Sequence, residues 1–237
     1  MAQLFAGTSG FSYPAWKPDF YPKELPAKRF LEHYATRLNS VEVNYTFRQL
    51  PSAKTLEGWL ATTPAGFAFA CKAHMRLTHI MKMKDAESFT EVFLKALEPL
   101  RVSRRLGPVL YQFAPTFKCD LDRLDAYLPL LPRDIRFAFE FRHASWLADP
   151  VYERLAKHNI ALCLAESEKL EVPKVFTADF GYFRLRKGDY GEAARHEIAA
   201  QVAALRAEGR DVYVYFKHED DPHGALWAEE LLKVDLP

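Results

Sequence analysis

The stretch RFAFEFRHASW, residues 136–146, ends a run of alternating apolar side chains with a carboxylate, a guanidinium and an imidazole. Glu140, Arg142 and His143 are the side-chain types needed to hold an anion and move a proton. Other apolar runs end in a similar way. Thr8 and Ser9 follow QLFAG, Glu42 and Asn44 lie in SVEVNYTF, and Lys72 and His74 follow FAFAC. Gln112 closes GPVLYQ, Glu166 follows IALCLA, Arg184 and Arg186 end GYFRLR, and Lys217 follows DVYVYF.

Glu140 is the first choice for a general acid or base, because it sits on the inward face of its run beside a cation, and Glu42 is the second. Lys72, Arg142, Arg184 and Lys217 suit a phosphate or carboxylate, with Thr8, Asn44, Gln112 and His143 as polar contacts. The competing reading is structural: Arg142 and Arg184 pair with Glu140 and Glu42 and neutralise one another. Trp16, in FSYPAWKPDFYPKELP, and Trp146 are candidates for a wall on which a base or sugar stacks, against the alternative that these rings plug one end of the fold. His74, His79, His143 and His218 also follow apolar runs, near Glu42, Glu140 and Glu166. Without HxH or HExxH spacing, a divalent metal is the less favoured option and no metal ligand is assigned. GTSG lacks phosphate-loop spacing and no GxSxG elbow is present.

These residues need elements to carry them. The sequence predicts strands at residues 3–8, 40–47, 67–72, 107–113, 136–142, 160–165, 181–186 and 211–216. Helices are expected over 28–38, 51–62, 85–100, 120–130, 150–158, 192–208 and 225–233, with Asp149 as an N-cap and Gly209 as a C-terminal stop. In the third strand Ala68, Ala70 and Lys72 share one face while Phe67, Phe69 and Cys71 share the other. Small residues inward and large ones outward suit a strand between a narrow barrel interior and a layer of helices. Eight strands alternating with helices point to an α/β protein with parallel strands, a TIM-barrel-like (β/α)8 fold, whose working residues lie at the C-terminal strand ends.

Composition narrows the options. At 237 residues and 49% hydrophobic, with no linker or compositional shift, the chain reads as a single domain spanning 1–237. No apolar run approaches the roughly 20 residues of a membrane span, and MAQLFAGTSG lacks a signal-peptide layout, so a cytoplasmic protein is expected with no membrane partner. Cys71, Cys119 and Cys163 are read as reduced packing residues. A formal charge of +1 gives no global pull on nucleic acid, so anion binding must be local.

Taken in order, GTSGFSYPAW, FYP, SVEVNYTF, GPVLYQFAPTF, FEFRHASW and DVYVYF resemble the YecE-like family across essentially the whole chain. The resemblance implies a TIM-barrel-like fold and a mouth for ligands, without an established activity. Two positions depart from the family pattern. Lys217-His218 stands where Asn-Asn is common after strand eight, and Glu166-Ser167 where Asp-Ser is common after strand six.

The function expected from these readings is an enzyme, a hydrolase or lyase, that binds a small anionic, phosphate-containing ligand at the barrel mouth and uses carboxylate acid/base chemistry. Its cofactor and oligomeric state are not legible. One alternative is a nucleic-acid-binding or processing protein; another is a non-catalytic ligand sensor or interaction module.

Overall fold

The alternation of the third strand, small residues to one side and large ones to the other, belongs to an arrangement of parallel strands. The computed structural model describes residues 2–217 and 221–234. The strands are β1 (Leu4–Thr8), β2 (Ser40–Val43), β3 (Ala68–Lys72), β4 (Leu106–Gln112), β5 (Phe137–Glu140), β6 (Ala161–Leu162), β7 (Leu164–Ala165), β8 (Phe180–Leu185) and β9 (Asp211–Phe216). Between and after them lie α1 (Phe30–Arg37), α2 (Ala53–Thr62), α3 (Glu87–Ala96), α4 (Glu98–Val102), α5 (Leu121–Tyr127), α6 (Asp149–Lys157), α7 (Glu192–Ala207) and α8 (His223–Lys233). Every strand pair is parallel, in two sheets ordered β2-β3-β4-β5-β6 and β7-β8-β9-β1. This is the TIM-barrel-like α/β arrangement expected, with the ladder interrupted in two places.

The first interruption splits the sixth expected strand. Ala161 and Leu162 pair with β5, whereas Leu164 and Ala165 pair with β8. At the break, the Cys163 amide donates to Phe139 O (2.9 Å) and the Ala165 amide turns back to Cys163 O (3.1 Å). One run of chain therefore passes from the first sheet to the second.

Side chains span the second interruption, between β1 and β2. Asn39 accepts from the Ala6 amide (2.9 Å) and donates to Leu4 O (2.7 Å). The Tyr34 hydroxyl accepts from the Thr8 amide and donates to Ser40 O, both at 2.9 Å. Because each backbone group finds a side-chain partner, the edges can stay unladdered without a desolvation penalty. The approach demands glycine: a Cβ on Gly7 would lie 1.9 Å from Ser40 O.

Inside the ring, Ala68, Ala70, Ala138 and Ala161 face Tyr182, Tyr213 and Tyr215, so small residues on one sheet accommodate large rings on the other. Phe67, Phe69, Phe137 and Phe139 belong to the outer core with the helices. Each such buried ring contributes on the order of 2–3 kcal/mol by leaving water.

Several expected boundaries move. β2 stops at Val43, because Asn44 turns into helical backbone (φ −84°, ψ −16°) and Tyr45–Phe47 form a 3-10 turn. Asn44 therefore does not share a strand face with Glu42. β5 ends at Glu140, so Arg142 lies in the following loop. The helix expected over 85–100 divides into α3 and α4, with Pro99 in the first turn of the second piece. Ala148, not Asp149, caps α6; Asp149 lies in the first turn, where its charge still suits the helix dipole.

Candidate active site

Four strand ends supply one connected cluster. β2 carries Glu42, β4 carries Gln112, β5 carries Glu140 and β8 carries Arg184, all on inward-facing positions. Arg184 Nε and Nη2 donate to the two oxygens of Glu42 at 2.9 and 2.8 Å, and Nη1 donates to Glu140 Oε2. Tyr182, also on β8, donates its hydroxyl to Glu42 Oε2 (2.8 Å). Gln112 Nε2 donates to Glu140 Oε1 (2.9 Å), and the Gln112 carbonyl oxygen accepts from Lys72 Nζ (2.8 Å), which extends the chain to β3.

The environment sets the charges. Burial pushes the Glu42 carboxyl up, but Arg184, Arg186 and hydrogen bonds from Arg184 and Ser9 outweigh it and hold it at about 2. Glu140 is likewise pushed up by burial and brought below the usual range by Arg184, Gln112 and Arg186. Burial disfavours the Arg184 cation, yet Glu140 and Glu42 hold its proton well above the ordinary range. All three groups stay charged at neutral pH. The oxygens of both carboxylates are engaged as hydrogen-bond acceptors.

Lys72 behaves differently. Burial lowers its ammonium to about 8, aided by Arg184 and Arg186 and opposed by Glu42 and Glu140. It is half-buried, and its Nζ sits 4.2 Å from the centroid of the Phe47 ring. Phe47, on the turn after β2, also meets His79 edge-on at 5.1 Å. His79 loses proton affinity through burial and through Lys72, Arg142 and Lys82. Its loop is unusual: residues 76–80 form a π-helical turn, and Lys82, Met83 and Asp85 adopt positive φ. Side-chain-bearing residues in that region cost free energy, and such strain concentrates at functional sites.

Arg142 is half-exposed, 3.8 Å from Glu140. Arg186 donates to Ser9 Oγ (2.8 Å) and lies 3.4 Å from Glu42. Around the two buried carboxylates stand four cations, Lys72, Arg142, Arg184 and Arg186, so the cluster is not self-neutralised. Glu166 is spent elsewhere: it accepts from the Arg186 amide and from Tyr190, and pairs with Lys187.

The remaining expected contacts separate. Thr8 is fully buried and donates to Gly10 O (2.6 Å), and Asn44 donates to Ser9 O (3.2 Å). His143 Nδ1 accepts from the Ser145 amide (3.2 Å) in a local turn. The Lys217 amide donates to Leu185 O (2.8 Å) at the end of β9, while His218 lies outside the described residues. His74 accepts from the Arg76 amide and packs its ring against Phe89, on the helical side. The expected stacking wall is corrected: Trp16 and Trp146 are both 0% exposed. Trp16 stacks on Tyr21 and Tyr34, and Trp146 lies flat on Phe141 with its indole N–H donated to Phe117 O (2.8 Å). Both rings are core by burial, and the Trp146 N–H is satisfied.

Tyr182 and Phe47 were absent from the candidates read in the sequence. The alternation of GYFRLR places Tyr182 on the same face as Arg184, which is the signal for it; Phe47 follows a turn and leaves no periodic signal. Among the described residues, no group of three or more His, Cys, Asp or Glu could hold a metal ion. No helix among them is long and apolar enough to cross a membrane. A surface hollow bordered by Thr90, Leu94, Arg101 and Pro132 lies on the helical layer and shares no residue with the charged cluster.

Fold and site together define a parallel-stranded, TIM-barrel-like α/β protein with an ion-paired cluster at the C-terminal ends of its strands. The chain belongs to the DUF72 family, described as proteins of unknown function, whose model matches residues 5–234. It is 31% identical over 141 residues to the UPF0759 protein YunF of Bacillus subtilis, a match covering 56% of this chain and 50% of that protein. The chain thus spans about half the length of the curated relative it matches. A DUF72 family protein of Thermotoga maritima has a similar crystal structure (TM-score 0.79, 29% identity, 98% of each chain). An AP endonuclease, family 2, from Brucella melitensis shares the fold alone (TM-score 0.53, 11% identity, 98% of this chain and 97% of that one).

Proposed function

We propose that this protein is an enzyme, a hydrolase or lyase, that binds a small phosphate-containing anion at the C-terminal mouth of its strands. The observation that carries the reading is the excess of positive charge there. His79 is acted on by Lys72, Arg142 and Lys82 together, all three disfavouring its protonation. Like charges gathered in a partly desolvated place repel one another, and an anion relieves that repulsion. Arg142 and Lys82 lie on loops and Lys72 on a strand end, the usual distribution of binding groups in this architecture.

The carboxylates enter this reading as positioning groups. Glu42 and Glu140 hold Arg184, and Glu140 orients the Gln112 amide toward Lys72. Proton transfer then falls to Lys72, whose affinity for a proton lies near physiological pH, and not to Glu140 as a general acid. The family label YecE-like rests on the sequence motifs and implies no further activity.

A thermal-shift series with orthophosphate, phosphate esters and short oligonucleotides tests the site. Phosphate compounds are expected to raise the wild-type melting temperature and to lose that effect in Arg142→Ala. Oligonucleotide binding that weakens steeply with salt would favour the nucleic-acid alternative, which shares its fold with an endonuclease. No shift with any phosphate compound at low salt would overturn the anion site.

A further inference from the structure

Lys72 stands apart from the other basic groups of the site. Among the described residues, its hydrogen bond goes to a neutral amide, Gln112 Oε1 at 2.8 Å, and not to a carboxylate. That amide cannot rotate freely, because its Nε2 is donated to Glu140 (2.9 Å), and Glu140 is in turn gripped by Arg184. The Phe47 ring covers the ammonium from another side. The lysine is thus aimed by a relay of fixed groups and only half-buried, so a small molecule can reach it. A salt-bridged lysine would be locked as a cation; this one keeps a route to the neutral amine.

We infer that Lys72 is a covalent nucleophile, forming an imine with the carbonyl carbon of an aldehyde or ketone that also carries a phosphate or carboxylate. This rests on the anion site proposed above, which supplies the second point of attachment through Arg142 and its neighbours. The neutral Nζ attacks the carbonyl carbon, and one N–H proton passes to the oxygen as the carbinolamine forms. The C–O bond then breaks, and the hydroxyl leaves as water with the second N–H proton as the C=N bond closes. Amine plus carbonyl gives imine plus water, with no change of oxidation state, and hydrolysis reverses the step. Gln112 orients the amine, and the buried carboxylates keep Gln112 in place. Carbon–carbon bond cleavage or formation next to an iminium is the reaction class that such a step serves, which selects the lyase arm of the proposed function.

The groups that act on the Lys72 charge are Arg184 and Arg186 on one side of the balance and Glu42 and Glu140 on the other. Burial, the largest influence, together with these charges places its loss of a proton near pH 8, so imine formation is expected to rise from pH 7 to 9.

The test is reductive trapping. Purified protein is incubated with dihydroxyacetone phosphate or pyruvate, reduced with borohydride, and examined by intact mass and peptide mapping. One adduct per chain, on the peptide containing Lys72, is expected, with at least a tenfold preference over the exposed Lys54 and Lys157. Orthophosphate is expected to suppress labelling by the phosphorylated ketone. Lys72→Arg, which keeps the charge, is expected to abolish the adduct, and Gln112→Met to slow it. The wild-type map stands on its own if a variant does not fold. Labelling spread evenly over surface lysines, or no labelling, overturns the inference. If orthophosphate still stabilises the protein in that case, the anion site survives without the imine; if it does not, both readings fall.

Discussion

Arg184 and Glu42 face each other as a two-pronged ion pair, Nε to Oε2 at 2.9 Å and Nη2 to Oε1 at 2.8 Å, with Glu42 fully buried. The same guanidinium reaches Glu140, so one side chain ties the ends of β2, β5 and β8 together. A basic residue committed in this way fixes the relative positions of three strand ends.

Removing Arg184 leaves two buried carboxylates without their main partner. Arg184→Met is expected to lose about 3–5 kcal/mol of unfolding free energy in urea titrations. Arg142→Ala, at a half-exposed position, is expected to lose less than about 1 kcal/mol. Replacing the whole set, Glu42→Gln and Glu140→Gln together with Arg184→Met, is expected to recover much of the loss. A cost below about 1 kcal/mol for Arg184→Met would contradict its role as the tie between strands.

Two pH limbs follow from the cluster. Burial raises and Arg184 and Arg186 lower the Glu42 carboxyl, moving it from its usual 4.5 to about 2. The folded protein therefore binds this proton less readily, and the stabilisation is full above about pH 4.5 and lost as pH falls through about 2. Glu42→Gln is expected to flatten that limb. Lys72 moves from 10.5 to about 8, chiefly by burial. Between those values the unfolded chain binds more protons, so stability is expected to rise with pH over that window in the wild type and not in Lys72→Met. Guanidinium titrations across pH measure both limbs; a wild-type profile parallel to both variants would refute the assignments.

The Tyr34 hydroxyl, with the Asn39 amide, spans the seam between β1 and β2. Tyr34→Phe leaves the Thr8 amide and Ser40 carbonyl without their bridge and is expected to cost about 1–3 kcal/mol. Hydrogen exchange at the Thr8 amide is expected to quicken, whereas core amides of β4 keep their relative protection. Unchanged Thr8 exchange in the variant would show that the hydroxyl is not what closes the seam.

Much of the architecture was legible because strand alternation is local. Ala68, Ala70 and Lys72 differ from Phe67, Phe69 and Cys71 every second residue, and that period alone assigns inner and outer faces. Asn44 was misplaced because the turn after Val43 begins inside an apolar, strand-like run, where composition does not mark the change of backbone. For Trp146 the sequence leaves open a ligand wall, suggested by its neighbour His143, and a ring that plugs one end of the fold. Only the packing of Phe141 and the carbonyl of Phe117 against it makes it core.

By itself, then, the sequence determined the order of the elements, the faces of the strands and the set of charged side chains at their ends. Which charges neutralise one another was decided by the tertiary structure. Glu42 and Arg184 are 142 residues apart, and no local period relates them. Their meeting depends on the curvature that brings β2 across from β8. Pairing with Arg184 keeps the two carboxylates ionised against the cost of burial, whereas Lys72 is held by an uncharged amide.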